Sequence, residues 1–272
     1  MRHFKNKIPV WFRGDSTLLD EEKNGKSFIK NVLLKWVYRN IDIAFYTGTN
    51  NKEYFLKYGL KNGQLIQAFH AIDNERFQNS NGRYTTQAQE WKNKLKISPD
   101  ALVFLYAGKL EHKKGVETLL KAFMFFSNVN CHLVIVGNGT EERNLKTKYT
   151  EADNVTFLDF QNQKMMPVIY QLCDVFVLPS IGPGESWGLA INEAMAAGKV
   201  IVASDKCGGA IDLITNGENG YIFKAGNTED LVLIMKNILD ERNKIRFMQE
   251  NSLKKIEEFC FENMVTAIES IV

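Results

Sequence analysis

Two glutamates, Glu185 and Glu193, and two lysines, Lys109 and Lys114, are the side chains in this sequence best spaced to do chemistry. The glutamates lie in the stretch DVFVLPSIGPGESWGLAINEAMAAGKVIVASDKCGGAID, residues 174–212. An apolar, β-branched run from Val175 to Leu178 reads as a buried strand, which breaks at Pro179 into Ser180, Gly182, Pro183 and Gly184. From Ser186 the pattern is helical, with Leu189, Ala190, Ala194, Met195 and Ala197 on one spacing and Gly198 to stop it. A helix that opens behind a glycine-rich loop points the free N–H groups around Trp187, Gly188 and Leu189 at whatever lies in front of it, and its dipole favours an anion such as phosphate. Glu185 and Glu193 stand about two turns apart at roughly 3.6 residues per turn, so both can face the helix start. Carboxylates beside a phosphate would repel it, so their partners should be hydroxyls, and a sugar and a ribose flanking a diphosphate supply these. An isolated glutamate pair is more often a helix-start charge plus a solvated face residue. The surrounding glycines and the strand-loop-helix context favour the ligand.

The lysines belong to a second cluster, AGKLEHKKG, residues 107–115. Gly108 directly follows a strand, so its backbone can approach a ligand, and Lys109 and Lys114 bring ammonium groups to the same strand end. Two cations opposite a helix N-terminus form a diphosphate clamp. Breaking a bond from an anomeric carbon to a nucleoside diphosphate builds charge on the departing phosphate, which such a clamp binds best in the transition state. Lysines in this role make a metal unnecessary, and no Asp, Glu or His cluster shows metal-ligand spacing, since His3, His70, His112 and His132 are scattered. The plainer alternative makes Lys113 and Lys114 solvated residues at the start of a helix over Val116 to Phe126. The turn Gly137-Asn138-Gly139-Thr140-Glu141-Glu142 half-matches a dinucleotide fingerprint, but Glu142 would oppose a pyrophosphate, so NAD is not expected.

Around these clusters the chain alternates strand and helix from Ala101 onward. Strands are expected near Leu102 to Tyr106, His132 to Val136, Val155 to Leu158, Val175 to Leu178, Val200 to Ala203 and Tyr221 to Phe223. This is an α/β pattern that predicts a parallel sheet with right-handed crossovers, binding ligands at the carboxyl ends of its strands. The first part of the chain offers short strands at Ile8 to Phe12, Ile41 to Tyr46 and Leu65 to Phe69. Between the first two, after a charged loop at Asp20 to Lys26, a helix from about Ser27 carries Phe28, Val32, Leu33, Trp36 and Val37 on one broad face. The 272 residues are 44% hydrophobic and 24% charged, an ordinary globular balance, and the net charge of +2 argues against nucleic acid as a partner. Four separated cysteines without a CxxC suit a reducing cytoplasm. No apolar run reaches the roughly 20 residues that span a bilayer, so membrane contact would be peripheral, at the inner face.

The segment ESWGLAINE resembles the Glu-x7-Glu motif of retaining family 4 glycosyltransferases of the GT-B fold. FLYAGKLEHKKGVETLLKAF, HLVIVGNGTEERNL, NVTFLDF and NGYIF extend the resemblance from Arg83 to the C-terminus. The resemblance implies a partial N-terminal Rossmann-like domain over residues 1–82, a complete C-terminal nucleotide-sugar domain over 83–258, and a helix over 259–272 that crosses back to the N-terminal part. It implies a nucleotide-diphosphate sugar as substrate, no further cofactor, a saccharide or lipid-linked saccharide acceptor, and retention at the anomeric carbon. Glu193 would hold the ribose and Glu185 the donor sugar. Lys109, Lys114 and the Gly188-Leu189 amides would take the diphosphate, with Gly108, Ser186 and Trp187 beside it, and Phe160 and Gln161 would bracket the base. Lys109 stands where relatives commonly carry Arg, which keeps the charge but loses the bidentate fork. The family's N-terminal glycine-rich loop and acceptor-side histidine have no assignable counterpart. A second expectation therefore stands beside the first: a non-catalytic binding module, or one part of a split enzyme whose N-terminal half comes in trans. A sugar-nucleotide epimerase on the same architecture is disfavoured, because the glutamate motif belongs to transferases.

Overall fold

The computed structural model describes residues 8–21, 25–79 and 81–271, leaving His3 and the middle of the Asp20–Lys26 loop outside the described residues. Among the described residues nine strands form two parallel sheets. β1 (Trp11–Gly14), β2 (Ile43–Tyr46) and β3 (Leu65–Gln67) make a small sheet in that order. The larger sheet comprises β4 (Leu102–Ala107), β5 (Cys131–Val136), β6 (Val155–Leu158), β7 (Val175–Leu178), β8 (Val200–Ser204) and β9 (Gly220–Phe223), in the order β6-β5-β4-β7-β8-β9.

That order explains why two motifs far apart in sequence meet. The chain builds outward from β4 through β5 to β6, then returns to pair β7 with β4 and builds outward on the other side. The reversal opens a crevice at the carboxyl ends of β4 and β7, the usual ligand position in such sheets. With Phe104 opposite Val175 and Leu105 opposite Phe176, the loop after β4 that carries Lys109 and Lys114 and the loop after β7 that carries Glu185 leave neighbouring strands at one end. Every residue of β4, β5, β7 and β8 is buried. Such continuously buried and largely apolar runs are what a parallel strand covered on both faces requires. Helices Val116–Phe123 and Thr228–Asp240 pack together, as do Leu189–Ala196 and Ile245–Ile256.

In the small sheet β1 begins later than the sequence pattern suggests, at Trp11, where its backbone pairs in parallel with β2. A larger difference concerns helix Gly25–Tyr38. All of the stripe expected to be its packed face except Val37 is exposed, with Phe28 at 72% and Trp36 at 52%, and Val32 and Leu33 also open. The helix instead turns Leu34, Val37 and Tyr38 onto the small core formed with Ile41, Phe55 and Tyr58. The apolar pattern showed a helix without showing which side the short sheet could cover.

The two sheets are joined by helix Phe261–Glu269, which packs on β3, and by contacts around Trp187. Its indole lies 3% exposed between Phe69, His70 and Phe259. Polar contacts continue the junction. Thr49 Oγ1 donates to Asp212 at 2.6 Å, Asn50 to the Gly208 carbonyl at 2.8 Å, and Ser186 Oγ to Asp15 at 2.7 Å. Among the described residues no helix is long and apolar enough to cross a membrane.

Candidate active site

The helix that follows β7 begins at Leu189, three residues after the start suggested by periodicity. Gly188 decides this: its φ of 95° is left-handed, and a Cβ there would meet Leu178 Cδ2 at 3.0 Å. The Gly188 and Leu189 amides find no backbone acceptor among the described residues, which leaves two donors at the helix tip where the sequence reading expects an anion. Glu185 lies in the loop, as expected, but the later start puts four residues of non-helical chain, Glu185 to Gly188, before the helix, so helical spacing does not align Glu185 with Glu193. The two carboxylates are positioned by different partners.

Glu193 stands on the helix and lines a cavity of about 380 Å³ with Gly108, Lys109, Phe160, Gln161 and Leu189. Its Oε2 accepts from Tyr170 Oη at 2.7 Å. Burial pushes the Glu193 carboxyl up, and the Tyr170 hydrogen bond and the Arg76 charge offset part of that rise. Glu185 lies outside this cavity, where its Oε2 accepts from Lys114 Nζ at 2.5 Å and from Ser180 Oγ at 2.8 Å. Lys109 is an open cation, its side chain 75% exposed and 3.9 Å from Glu111, whereas Lys114 is 23% exposed. The lysines thus differ in kind: one is free to reach a phosphate and the other is already held by a carboxylate.

Gly115 brings Lys114 to the Glu185 loop. With a φ of 67°, it packs so tightly that a Cβ would fall 2.0 Å from the Pro179 carbonyl oxygen, and Ile181 N donates to the Lys113 carbonyl at 2.9 Å across the same junction. Gly115→Ala must separate the two loops. It is expected to cost about 1 to 3 kcal/mol in a denaturant titration and to remove most turnover even where the protein remains folded. Wild-type stability in this variant would contradict the close approach.

Gly108, Lys109, Phe160, Gln161, Leu189 and Glu193 therefore share one cavity, with Lys114 and Glu185 paired outside it. Ser186 and Trp187 turn their side chains away from it. The Ser186 hydroxyl is bound by Asp15, and the Trp187 indole donates to Asn192 Oδ1 at 2.8 Å, so these two residues can offer only backbone groups to a donor. Sequence reasoning missed Tyr170 and Ser180. Ser180 sits five residues before Glu185 in the same loop and was detectable as a nearby hydroxyl, but Tyr170 is separated from Glu193 by a strand and a loop and has no local signal. A larger cavity, about 650 Å³, opens beside Lys96, His132 and Lys148 and is lined by none of the expected site residues.

Residues 87–255 match the family described as glycosyl transferases group 1. The chain belongs to that family. Among curated relatives it is 27% identical over 179 residues to an uncharacterized glycosyltransferase of Methanocaldococcus jannaschii, covering 64% of this chain and 45% of the relative. It is 26% identical over 191 residues to the lipopolysaccharide 1,2-N-acetylglucosaminetransferase of Salmonella typhimurium, covering 65% and 50%. The chain thus spans about half the length of the curated relatives it matches. Among the solved structures that share its fold are two at 20% identity. Anabaena HepE in complex with UDP aligns at a TM-score of 0.80 and 20% identity over 98% of this chain and 72% of that one. Sucrose-phosphate synthase of Thermosynechococcus elongatus aligns at 0.78 and 20% identity over 99% and 69%. The α/β architecture is accordingly that of GT-B group 1 glycosyltransferases.

Proposed function

We propose that the chain transfers a sugar from a nucleotide-diphosphate sugar to a saccharide or lipid-linked saccharide, with retention at the anomeric carbon and without a metal ion. The observation that carries this reading is the Lys114–Glu185 pair, held at 2.5 Å on the loops after β4 and β7, at the edge of the crevice where Glu193 faces its own cavity. In this reading the nucleoside occupies the 380 Å³ cavity, with the base near Phe160 and Gln161 and the ribose on Glu193. The diphosphate crosses the Gly188-Leu189 tip, and the sugar reaches Glu185. As the anomeric C–O bond breaks, the electron pair stays with the phosphate oxygen. In this assignment Lys109, Lys114 and the two amides receive that charge. Lys114 serves both carboxylate and phosphate, which couples placement of the sugar to stabilisation of the leaving group. The four free cysteines suit a reducing cytoplasm, with any membrane contact peripheral at the inner face.

A second reading draws on the three-stranded N-terminal sheet and the uncovered Phe28–Trp36 stripe: a binding module, or one part of a split enzyme completed by an N-terminal half in trans. One assay separates the two. Purified chain incubated with UDP-glucose or UDP-N-acetylglucosamine and a panel of saccharide acceptors releases UDP if it is a complete transferase. Saturable UDP-sugar binding without UDP release would select the second reading.

A further inference from the structure

Behind the Glu193 carboxylate stands a hydroxyl that no motif marks. Tyr170, on helix Met166–Gln171, is buried, and its ring is held edge-on by Phe77 and Phe176 at centroid distances of 5.8 and 5.5 Å. Its Oη donates to Glu193 Oε2 at 2.7 Å, while Oε1 accepts nothing from the described residues. Phe77 belongs to helix Asn74–Phe77 in the connection between the two sheets, and Arg76 of the same turn donates to the carbonyl of Gln163 on the cavity wall. A glutamate's terminal torsion is broad, so an untethered carboxylate would sample many orientations. This one is tied at one oxygen by a side chain that is itself clamped between two rings.

We propose that Tyr170 is a positioning residue for ribose recognition: by occupying Oε2 it fixes the rotation of the Glu193 carboxylate and leaves Oε1 as the acceptor presented to the nucleotide diol. The assignment rests on the placement of ribose at Glu193. Preorganisation of this kind contributes to affinity by removing the cost of ordering the acceptor on binding. It also makes recognition depend on the hydroxyls, because a ligand lacking them leaves a desolvated Oε1 unpaired. The charged and titratable groups facing Glu193 are Tyr170, Arg76 of the connecting helix and Lys109 on the opposite cavity wall. Burial raises the Glu193 carboxyl and the Tyr170 hydrogen bond lowers it. Removal of the hydroxyl therefore moves the carboxyl further up, and nucleotide affinity should begin to fall at a higher pH as the solution is acidified.

The test is calorimetric titration of UDP and of 2′,3′-dideoxy-UDP into the wild type, Tyr170→Phe and Glu193→Gln over an acid-to-neutral pH series. The wild type is expected to prefer UDP by about tenfold or more. In Tyr170→Phe that preference should shrink at least severalfold and the acid limb of the UDP profile should move to higher pH, while Glu193→Gln should show neither the preference nor that limb. The UDP to dideoxy-UDP ratio is measured within one variant, so a change in stability alone cannot produce the result. An unchanged ratio and pH profile in Tyr170→Phe would overturn the positioning role and leave ribose at Glu193 standing. Failure of the wild type to bind UDP, ADP or GDP would overturn the ribose placement and the Tyr170 assignment with it.

Discussion

Replacing Lys114 by Ala should lower turnover of a UDP-sugar by roughly 10² to 10³-fold while weakening UDP binding by less than about tenfold. The asymmetry follows from the geometry. Lys114 is part-buried and its ammonium is paired with Glu185 at 2.5 Å, so binding a ground-state diphosphate partly exchanges one anion for another. Once the anomeric bond breaks, the additional charge on the leaving phosphate has no carboxylate competing on equal terms, and the ammonium is most valuable there. Lys109, open to solvent, should show the reverse balance, with affinity affected more than turnover. Steady-state kinetics with parallel calorimetry decides the matter. Equal losses of binding and turnover in Lys114→Ala would remove its transition-state role.

Replacing Glu193 by Ala should weaken UDP affinity by about 1.5 to 3 kcal/mol, the value of hydrogen bonds to a charged acceptor, or roughly 10- to 150-fold. The sign of the pH dependence follows from burial. Because the folded protein holds this carboxyl above its ordinary range, ionisation is disfavoured in the native state. Glu193 therefore detracts from stability as pH rises from the ordinary carboxylate range through its raised folded value. Glu193→Gln should accordingly melt at a higher temperature than the wild type at neutral pH even as it loses nucleotide. A variant that bound UDP normally would remove the ribose role. One that lost UDP without gaining stability would show that the buried charge is better compensated than Tyr170 and Arg76 alone provide.

Much of this arrangement was legible in the sequence for a definite reason. Buried parallel strands are short apolar runs bounded by glycine and proline, so β6 and β7 lie where periodicity places them and β4, β5, β8 and β9 differ by a residue at one end. Glycines with left-handed backbone, Gly115 and Gly188 among them, mark both loops. Features that depend on distant packing were not legible. Helix periodicity extends back to Ser186, but the left-handed backbone at Gly188 delays the start to Leu189, so the position of Glu185 is set by Lys114 and Ser180 and not by helical spacing. Trp187, grouped by proximity with the donor site, is pulled into the junction by Phe69, His70 and Phe259. The Phe28 to Trp36 stripe shows that amphipathic spacing identifies a helix without revealing whether anything covers its apolar side. Tyr170 reaches Glu193 only because helix Met166–Gln171 packs beside the cavity, a tertiary fact with no local trace.

A crystal structure with UDP-glucose bound tests the central claim most directly. The electrostatic design predicts a ribose hydroxyl within hydrogen-bond distance of Glu193 Oε1, the β-phosphate against the Gly188 and Leu189 amides with the Lys114 ammonium beside it, and the glucose hydroxyls on Glu185. A nucleotide bound at the opposite ends of the strands, or a diphosphate lying away from both Lys114 and the Gly188 helix tip, would contradict it.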